Sequence, residues 1–120
     1  MAFKIDLSET YVYPIELEIV GDKGKYKKFS FNAEFKRLSQ SEVEQLGKDI
    51  TAQDGEPAKL TDEDLVDIVL VDWSDIYDEH DLPIEFSNPK HKAAVLDVYG
   101  VKQALVKGFF ESIAGAKRKN

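Results

Sequence analysis

The sequence predicts an α+β fold in which a β unit comes first and helices follow. Apolar and polar residues alternate along residues 3–36, which is the period of a strand with one buried face. After Arg37 the pattern changes to helix-start signals and to apolar residues at helical spacing. Because the strand-like runs precede the helical segments and do not alternate with them, α+β is favoured over α/β.

The β unit contains three alternating runs, and we expect an antiparallel hairpin or a small three-stranded sheet over about residues 3–36. The apolar positions of these runs are Phe3, Ile5 and Leu7, then Ile15, Leu17 and Ile19, then Phe29, Phe31, Ala33 and Phe35. Gly-Asp-Lys-Gly at residues 21–24 predicts a hairpin turn between the last two runs. Pro14 has no N–H for a ladder, which predicts a place at the start of its strand or on a sheet edge.

The first helix is predicted from a capping signal. Ser39 is followed three residues later by Glu42, the pattern of a capping box, in which each residue satisfies a backbone N–H of the other. We expect a helix over about residues 40–53, ended by Asp-Gly-Glu-Pro at residues 54–57.

A second helix-start signal stands at Thr61, which is followed by three acidic residues that the helix dipole favours. The segment Leu65–Val71 is rich in β-branched residues and also has the composition of a buried strand. Because of the capping signal, we interpret this segment as helix.

Residues 72–87 form a connection whose apolar residues predict that it packs on the core. Asn88 and Pro89 then have the types expected of a helix cap and a first helical residue. They predict a short helix to about Asp97, and Gly100 predicts a break after it.

The last helix carries one apolar stripe and is expected to stop near Gly115. The residues of the stripe are Val101, Leu105, Phe109 and Ile113. Residues 116–120 are expected to form a frayed basic tail. The β unit (1–37) and a helical part of about four helices (38–115) are expected to form one domain, because 120 residues is a usual size for one.

Composition narrows the class of protein. The chain has no cysteine, which excludes disulfides and cysteine-ligated zinc. Its longest apolar run is far shorter than the ~20 residues that a membrane span needs. These features predict a soluble cytoplasmic protein without a membrane partner.

Charge is distributed unevenly along the chain, whose net charge is −7. Residues 62–85 contain ten acidic residues and no Lys or Arg, whereas residues 86–120 contain seven basic and two acidic residues. The uneven distribution is compatible with self-association or an acidic docking face, and equally with two solvated surfaces. The acid excess disfavours nucleic acid as a partner, because phosphate binding requires clustered bases.

We find no pattern that predicts an enzyme or a cofactor. The glycines at 21 and 24 do not form a phosphate-binding loop, and the two histidines belong to no nucleophile motif. The acidic segment 75–81 suggests a calcium site, but it lacks the glycine and the ligand order of a calcium loop. We interpret it as a turn in which Asp side chains cap backbone amides.

Four aromatic residues are the candidate partner contacts: Trp73, Phe86, Phe109 and Phe110. Trp and other aromatic side chains contribute strongly to binding energy at interfaces, although a core position is the commoner role. Phe109 and Phe110 point about 100° apart on a helix, so only one of them can lie at the centre of one stripe. Phe86 lies at the boundary between the acidic and the basic segments.

The C-terminal part of the sequence, residues 73–120, resembles the tail assembly chaperones of siphophages and related prophages. The resemblance rests on Trp-Ser-Asp-Ile-Tyr-Asp at 73–78, Leu-Pro-Ile-Glu-Phe-Ser at 82–87, Phe-Phe-Glu at 109–111 and a final Lys-Asn at 119–120. The order and spacing of these segments carry the likeness, and none of them is a chemical signature.

Two positions depart from the family pattern. The family often has Gly where this chain has Asp81, and Pro-Gly where it has Tyr99 and Gly100. Asp tolerates the left-handed backbone conformation better than most residues, so the first turn is expected to survive. The second change removes a rigid helix start before Val101.

The resemblance implies a binding function. Such chaperones hold the long helical tape measure protein in solution in the host cytoplasm until tail tube protein polymerises around it, and they use no cofactor. A second interpretation rests on the acidic segment 62–85: a small acidic inhibitor or immunity-type protein that occupies a basic site on its target.

Overall fold

The computed structural model describes residue 4, residues 8–52 and residues 54–118. It has the predicted α+β fold, with a three-stranded antiparallel sheet in the order β1-β2-β3. The elements are β1 Thr10–Val20, β2 Tyr26–Lys36, α1 Gln40–Asp49, α2 Asp62–Val69, β3 Leu70–Ser74, α3 Pro89–Leu96 and α4 Val101–Arg118.

Strands β1 and β2 form the predicted hairpin, in a register that places Ile15 opposite Phe31. The turn between them contains Lys23 and Gly24 in the left-handed conformation, at φ 60° and 73°. Pro14 lies inside β1, which is an edge strand, so its missing N–H costs no ladder bond. The predicted turn and the predicted edge position are both confirmed.

The third strand that the structure describes comes from a later part of the chain than the predicted β unit. The predicted run Phe3–Leu7 lies outside the described residues except for residue 4, and the described strand on the other side of β2 is β3. Trp73 pairs with Ala33, but the register shifts so that Leu70 pairs with Phe35. This bulge lets Leu70 and Trp73 both be buried although they are three positions apart, because an extra residue restores the side-chain alternation.

The segment Leu65–Val71 is helix up to Val69 and strand from Leu70 onward. The helical interpretation is therefore correct for residues 65–69, which belong to α2. It is wrong for Leu70 and Val71, which belong to β3. Thr61 Oγ1 accepts the Asp64 N–H at 3.1 Å, and Asp64 accepts the Thr61 N–H at 3.0 Å, so a full capping box starts this helix.

Helix α1 begins with the predicted capping box but ends at Asp49, four residues before the expected end at residue 53. Ser39 Oγ accepts the Glu42 N–H at 3.3 Å, and Glu42 accepts the Ser39 N–H at 3.0 Å. The carbonyl oxygen of Asp49, the last residue of the helix, accepts the N–H of Leu60 at 2.9 Å. The returning chain is therefore hydrogen-bonded to this end of α1.

Helices α3 and α4 begin as predicted. Asn88 Oδ1 accepts the N–H groups of Lys90 and His91 at 3.0 and 3.3 Å. Gly100 adopts φ 95° between the two helices, which is the expected break. Helix α4 continues past Gly115 to Arg118, so the expected frayed tail is helical over residues 116–118. Lys and Arg propagate a helix well, and the remainder of the predicted tail, residues 119–120, lies outside the described residues.

The core lies between the inner face of the sheet and helices α2 and α4. The predicted stripe of α4 is confirmed, since Val101, Leu105 and Phe109 are buried and Ile113 is partly buried. Gly108 lets α4 approach the sheet closely, because a Cβ at this position would overlap Ile15 Cδ1. No helix in the described ranges combines the length and the apolar character that crossing a membrane requires.

Candidate protein-binding site

The four aromatic residues predicted as partner contacts differ in exposure. Trp73 and Phe109 are core side chains, with exposed fractions of 7% and 1%. Phe86 and Phe110 are half-buried and pack against the core. Trp73 and Phe109 therefore pack against Phe86 and Phe110 and offer almost no surface of their own.

Trp73 anchors the connection that follows β3. Its indole Nε1 donates to the carbonyl oxygen of Ile84 at 2.8 Å, and its ring meets Phe86 edge-on at a centroid distance of 5.0 Å. Lys92 Nζ lies 4.5 Å from the Phe86 ring centroid, a cation–π distance. A buried Trp needs a partner for its N–H, and here that partner is the connection itself.

The acidic turn is held by its own backbone and by one carboxylate. The Asp78 N–H donates to Leu82 at 2.9 Å, and Asp78 Oδ1 accepts the N–H groups of His80 and Leu82 at 2.8 and 3.0 Å. Asp81 adopts φ 60°, as expected of an Asp at this position. Within the described ranges, no three His, Asp or Glu side chains are grouped to hold a metal ion.

The apolar residues of this connection divide into two groups. Ile76, Ile84 and Phe86 pack against the core, which confirms that the connection is part of the folded body. Tyr77 and Leu82 remain exposed, at 56% and 60%. The turn therefore projects away from the core with two apolar side chains among its acids.

Phe109 and Phe110 belong to a second aromatic group. Phe109 meets Phe35 at 5.4 Å and Phe110 at 5.3 Å, both edge-on. Tyr11 extends this group, with its ring 6.0 Å from Phe35 and its hydroxyl group 2.7 Å from Ser112 Oγ. Burial raises the pKa of Tyr11, although the Ser112 hydrogen bond and nearby Arg37 lower it in part.

Helix α3 borders a hollow that includes none of the four predicted contact residues. The hollow has a volume of about 440 Å³ and is lined by the second half of α3 and by the starts of α2 and α4. We call it the α3 groove, and its lining residues are Glu63, Ala93, Ala94, Leu96, Asp97 and Lys102. Lys102 Nζ lies 3.8 Å from Glu63 Oε2. The two alanines give the groove a shallow floor.

Exposed apolar side chains lie just after this groove in the chain, in the turn between α3 and α4. Tyr99 is 92% exposed and Val98 is 40% exposed. The weak amphipathic pattern of α3, which contains no buried residue, is the sequence signal that points here.

The far end of the hairpin exposes apolar side chains on both faces of the sheet. Helix α4 contacts β1 at Ile15 and Tyr11, and the hairpin continues beyond these residues to its turn. Phe29 belongs to the inner face of the sheet and is nevertheless 47% exposed. Val20 and Tyr26, which pair across the hairpin, are 60% and 66% exposed.

Comparison with known proteins does not place the chain in a family. No protein-family model, no curated protein and no solved structure matches it.

Proposed function

We propose that the protein is a tail assembly chaperone that binds the tape measure protein of a long-tailed phage and keeps it soluble in the host cytoplasm until the tail tube protein assembles. The proposal rests on the order and spacing of segments along residues 73–120. One structural observation supports a binding surface in that half of the chain: Tyr99, which stands where the family often has Pro, is 92% exposed and follows α3 and its small-residue groove.

The α3 groove suits an amphipathic helix. Ala93 and Ala94 allow a partner backbone to approach closely, and Tyr99 provides an aromatic anchor of the kind that contributes most to binding. The groove contains two acidic residues, Glu63 and Asp97, and one basic residue, Lys102, which lies 3.8 Å from Glu63, so the remaining negative charge favours an apolar stripe flanked by Lys or Arg. We propose that a helix of the tape measure protein lies here.

A long helical target offers many such stripes. Several copies of the chaperone bound along one target would gain avidity, and the net charge of −7 on each copy would keep the complex dispersed. The proposed function is binding without catalysis, without a cofactor and without contact to nucleic acid.

The test is co-expression with the long helical protein encoded beside a tail tube gene. We expect the chaperone to raise the soluble fraction of that protein and to co-purify with it. Tyr99→Ser should reduce the co-purified amount about tenfold, since loss of an interface anchor costs roughly 1.4 kcal/mol or more. Tyr77→Ser is the matched control, because Tyr77 is exposed but lies on the acidic turn.

Two results would contradict this proposal. If the tape measure protein is equally soluble without the chaperone, the proposed function is wrong. If the Tyr99 and Tyr77 variants co-purify with it in equal amounts, the α3 groove is not the binding site.

A second candidate function, an acidic inhibitor of a basic target, is favoured by one feature of the outer sheet face. Glu34 and Asp72 pair directly across β2 and β3, where like charges are unfavourable. Thr10 Oγ1 donates to Glu34 at 2.6 Å, and the Trp73 N–H donates to Asp72 at 2.8 Å. A basic target bound to this face would relieve the remaining repulsion.

A further inference from the structure

The outer edge of β1 has backbone groups that point away from the sheet. Gly21 donates to Lys25 at 2.6 Å and Arg37 donates to Glu9 at 2.8 Å, which are the two ends of one antiparallel register. Since hydrogen-bonded pairs alternate along such a ladder, the odd-numbered residues of β1 bond to β2. The even-numbered residues therefore direct their N–H and C=O groups outward.

Proline divides this edge into two parts. Pro14 is even-numbered, so the N–H that it lacks is one that would point outward. Beyond it, Glu16, Glu18 and Val20 each direct an N–H group and a C=O group away from β2. We call the stretch Glu16–Val20 the free edge, because no strand among the described residues pairs with it on this side, and an edge of this kind is a template for an added strand.

A groove runs beside the free edge. Two hollows of about 310 and 610 Å³ border β1, and both include Glu16 of β1 and Lys107 of α4. The larger hollow reaches Leu17 and Phe29 of the inner sheet face. An edge strand with a helix beside it is the setting in which proteins take up an extended peptide as an extra strand.

The side chains of the free edge specify the partner's chemistry. Glu16 and Glu18 are exposed on the outer face of β1, whereas Leu17 and Ile19 belong to the inner face. Neighbouring residues on adjacent strands share a face, so an added strand would place alternate side chains beside the glutamates and the others beside the apolar pair. Basic residues complement the glutamates, most directly Glu16, which pairs with Ser30 of β2, whereas Glu18 already pairs with Lys28. Branched apolar residues complement the apolar pair.

A second copy of this chain does not meet that requirement. Antiparallel pairing of the free edge with itself, centred on any residue from Glu16 to Val20, places no basic residue opposite Glu16 or Glu18. Centred from Glu16 to Glu18, it places glutamates directly opposite glutamates. Like charges in that position are destabilising.

We propose that the free edge Glu16–Val20 binds an extended segment of another protein in which basic residues alternate with branched apolar residues. The segment adds a fourth strand beside β1, and its apolar side chains lie beside Leu17 on the inner face. This site is separate from the α3 groove and binds a strand instead of a helix. The proposal therefore does not rest on the proposed chaperone function.

The probe is a blocked, fluorescently labelled Lys-Val-Lys-Val-Lys peptide, compared with the same peptide carrying Glu in place of Lys. We expect the basic peptide to bind at a dissociation constant on the order of 1 mM or below, and more weakly as salt rises. Amide hydrogen exchange should slow at Glu16, Glu18 and Val20 when it binds, since these N–H groups become donors to the peptide.

Two variants separate the backbone and charge contributions. Glu18→Pro removes one outward N–H and no bond to β2, by the same parity that places Pro14, and should weaken binding at least tenfold. Glu16→Lys with Glu18→Lys should also weaken it at least tenfold. The control is Asp67→Lys with Glu79→Lys, which changes net charge equally at exposed sites away from β1 and should leave binding within twofold.

Several results would overturn the proposal. These are absence of basic-peptide binding at millimolar concentration, equal binding of the acidic peptide, or protected amides elsewhere than the free edge. Sedimentation of the peptide-free protein provides one more test. If the wild-type chain is a dimer that Glu18→Pro dissociates, the edge holds a second copy and the proposed partner is wrong.

Discussion

Tyr11 links the sheet to the last helix through both its ring and its hydroxyl group. The hydroxyl lies 2.7 Å from Ser112 Oγ, and Ser112 in turn donates to the Phe109 carbonyl at 2.6 Å. We expect Tyr11→Phe to lower the free energy of unfolding at pH 7 by about 1 kcal/mol, because one partly buried hydrogen bond is lost. Urea unfolding of the two proteins measures this difference.

The same variant should alter the response to alkaline pH. The pKa of folded Tyr11 lies above its ordinary value of 10.0, chiefly because burial disfavours the phenolate. The neutral form is thus favoured in the folded protein, so its stabilising contribution is complete below pH 10 and is lost as pH rises through the folded pKa. Stability should fall more steeply above pH 10 in the wild type than in Tyr11→Phe, and equal slopes would refute the assignment.

The candidate contact residues show what residue type alone can establish. Helical spacing identified Phe109 correctly as a stripe residue, and it is buried. Spacing does not reveal which neighbouring element covers a side chain, so it could not show that β2 and the connection bury Trp73. Nor could it show that Tyr99 would be left almost fully exposed, because that depends on how α3 meets α4.

At the scale of elements, two helical glycines provide a direct test of how α4 packs on the sheet. A Cβ at Gly47 in α1 meets nothing within 4 Å, so Gly47→Ala should stabilise the protein by about 0.5–1 kcal/mol through helix propensity. Gly108→Ala gains the same propensity, but its Cβ overlaps Ile15 Cδ1 in the core. We expect it to be destabilising by about 1–2 kcal/mol relative to Gly47→Ala. Thermal or urea unfolding compares the two.

A double-mutant cycle identifies the cause. Ile15→Val removes Cδ1 and should cost about 0.5–1.5 kcal/mol by itself. Combined with Gly108→Ala it should cost less than the sum of the two single changes, because the overlap disappears. Additive effects would mean that α4 does not approach β1 at this point.

Sequence signals were most reliable where a local interaction decides the structure. The capping boxes at Ser39 and Thr61 and the Asn88 cap lie where the sequence predicted them, since each needs only residues within one turn. Strand β3 was missed because Leu70–Ser74 has no turn signal before it and follows a helix directly. Its pairing with β2 is a long-range choice, and the bulge that aligns it has no local signature.

At the scale of the whole molecule, the uneven charge along the sequence is partly compensated in the fold. Helix α4 belongs to the basic segment and packs on α2, which belongs to the acidic one, and Lys102 lies 3.8 Å from Glu63. The separation of charge along the chain therefore does not become two fully separate surfaces. This weakens the case for head-to-tail self-association, which long-range attraction between opposite surfaces would drive.

Trp73 makes the cooperativity of the whole molecule measurable. It is the one Trp in the chain, it pairs with Ala33 of the hairpin, and it bonds to Ile84 in the C-terminal half. If residues 1–37 and 38–115 form one domain, Trp fluorescence and far-ultraviolet circular dichroism should give the same urea midpoint, with an m-value of about 1–3 kcal/mol per molar urea. The dichroism signal includes the hairpin, which Trp73 does not belong to. Two midpoints, with one signal changing while the other stays constant, would show that the hairpin and the helices unfold separately.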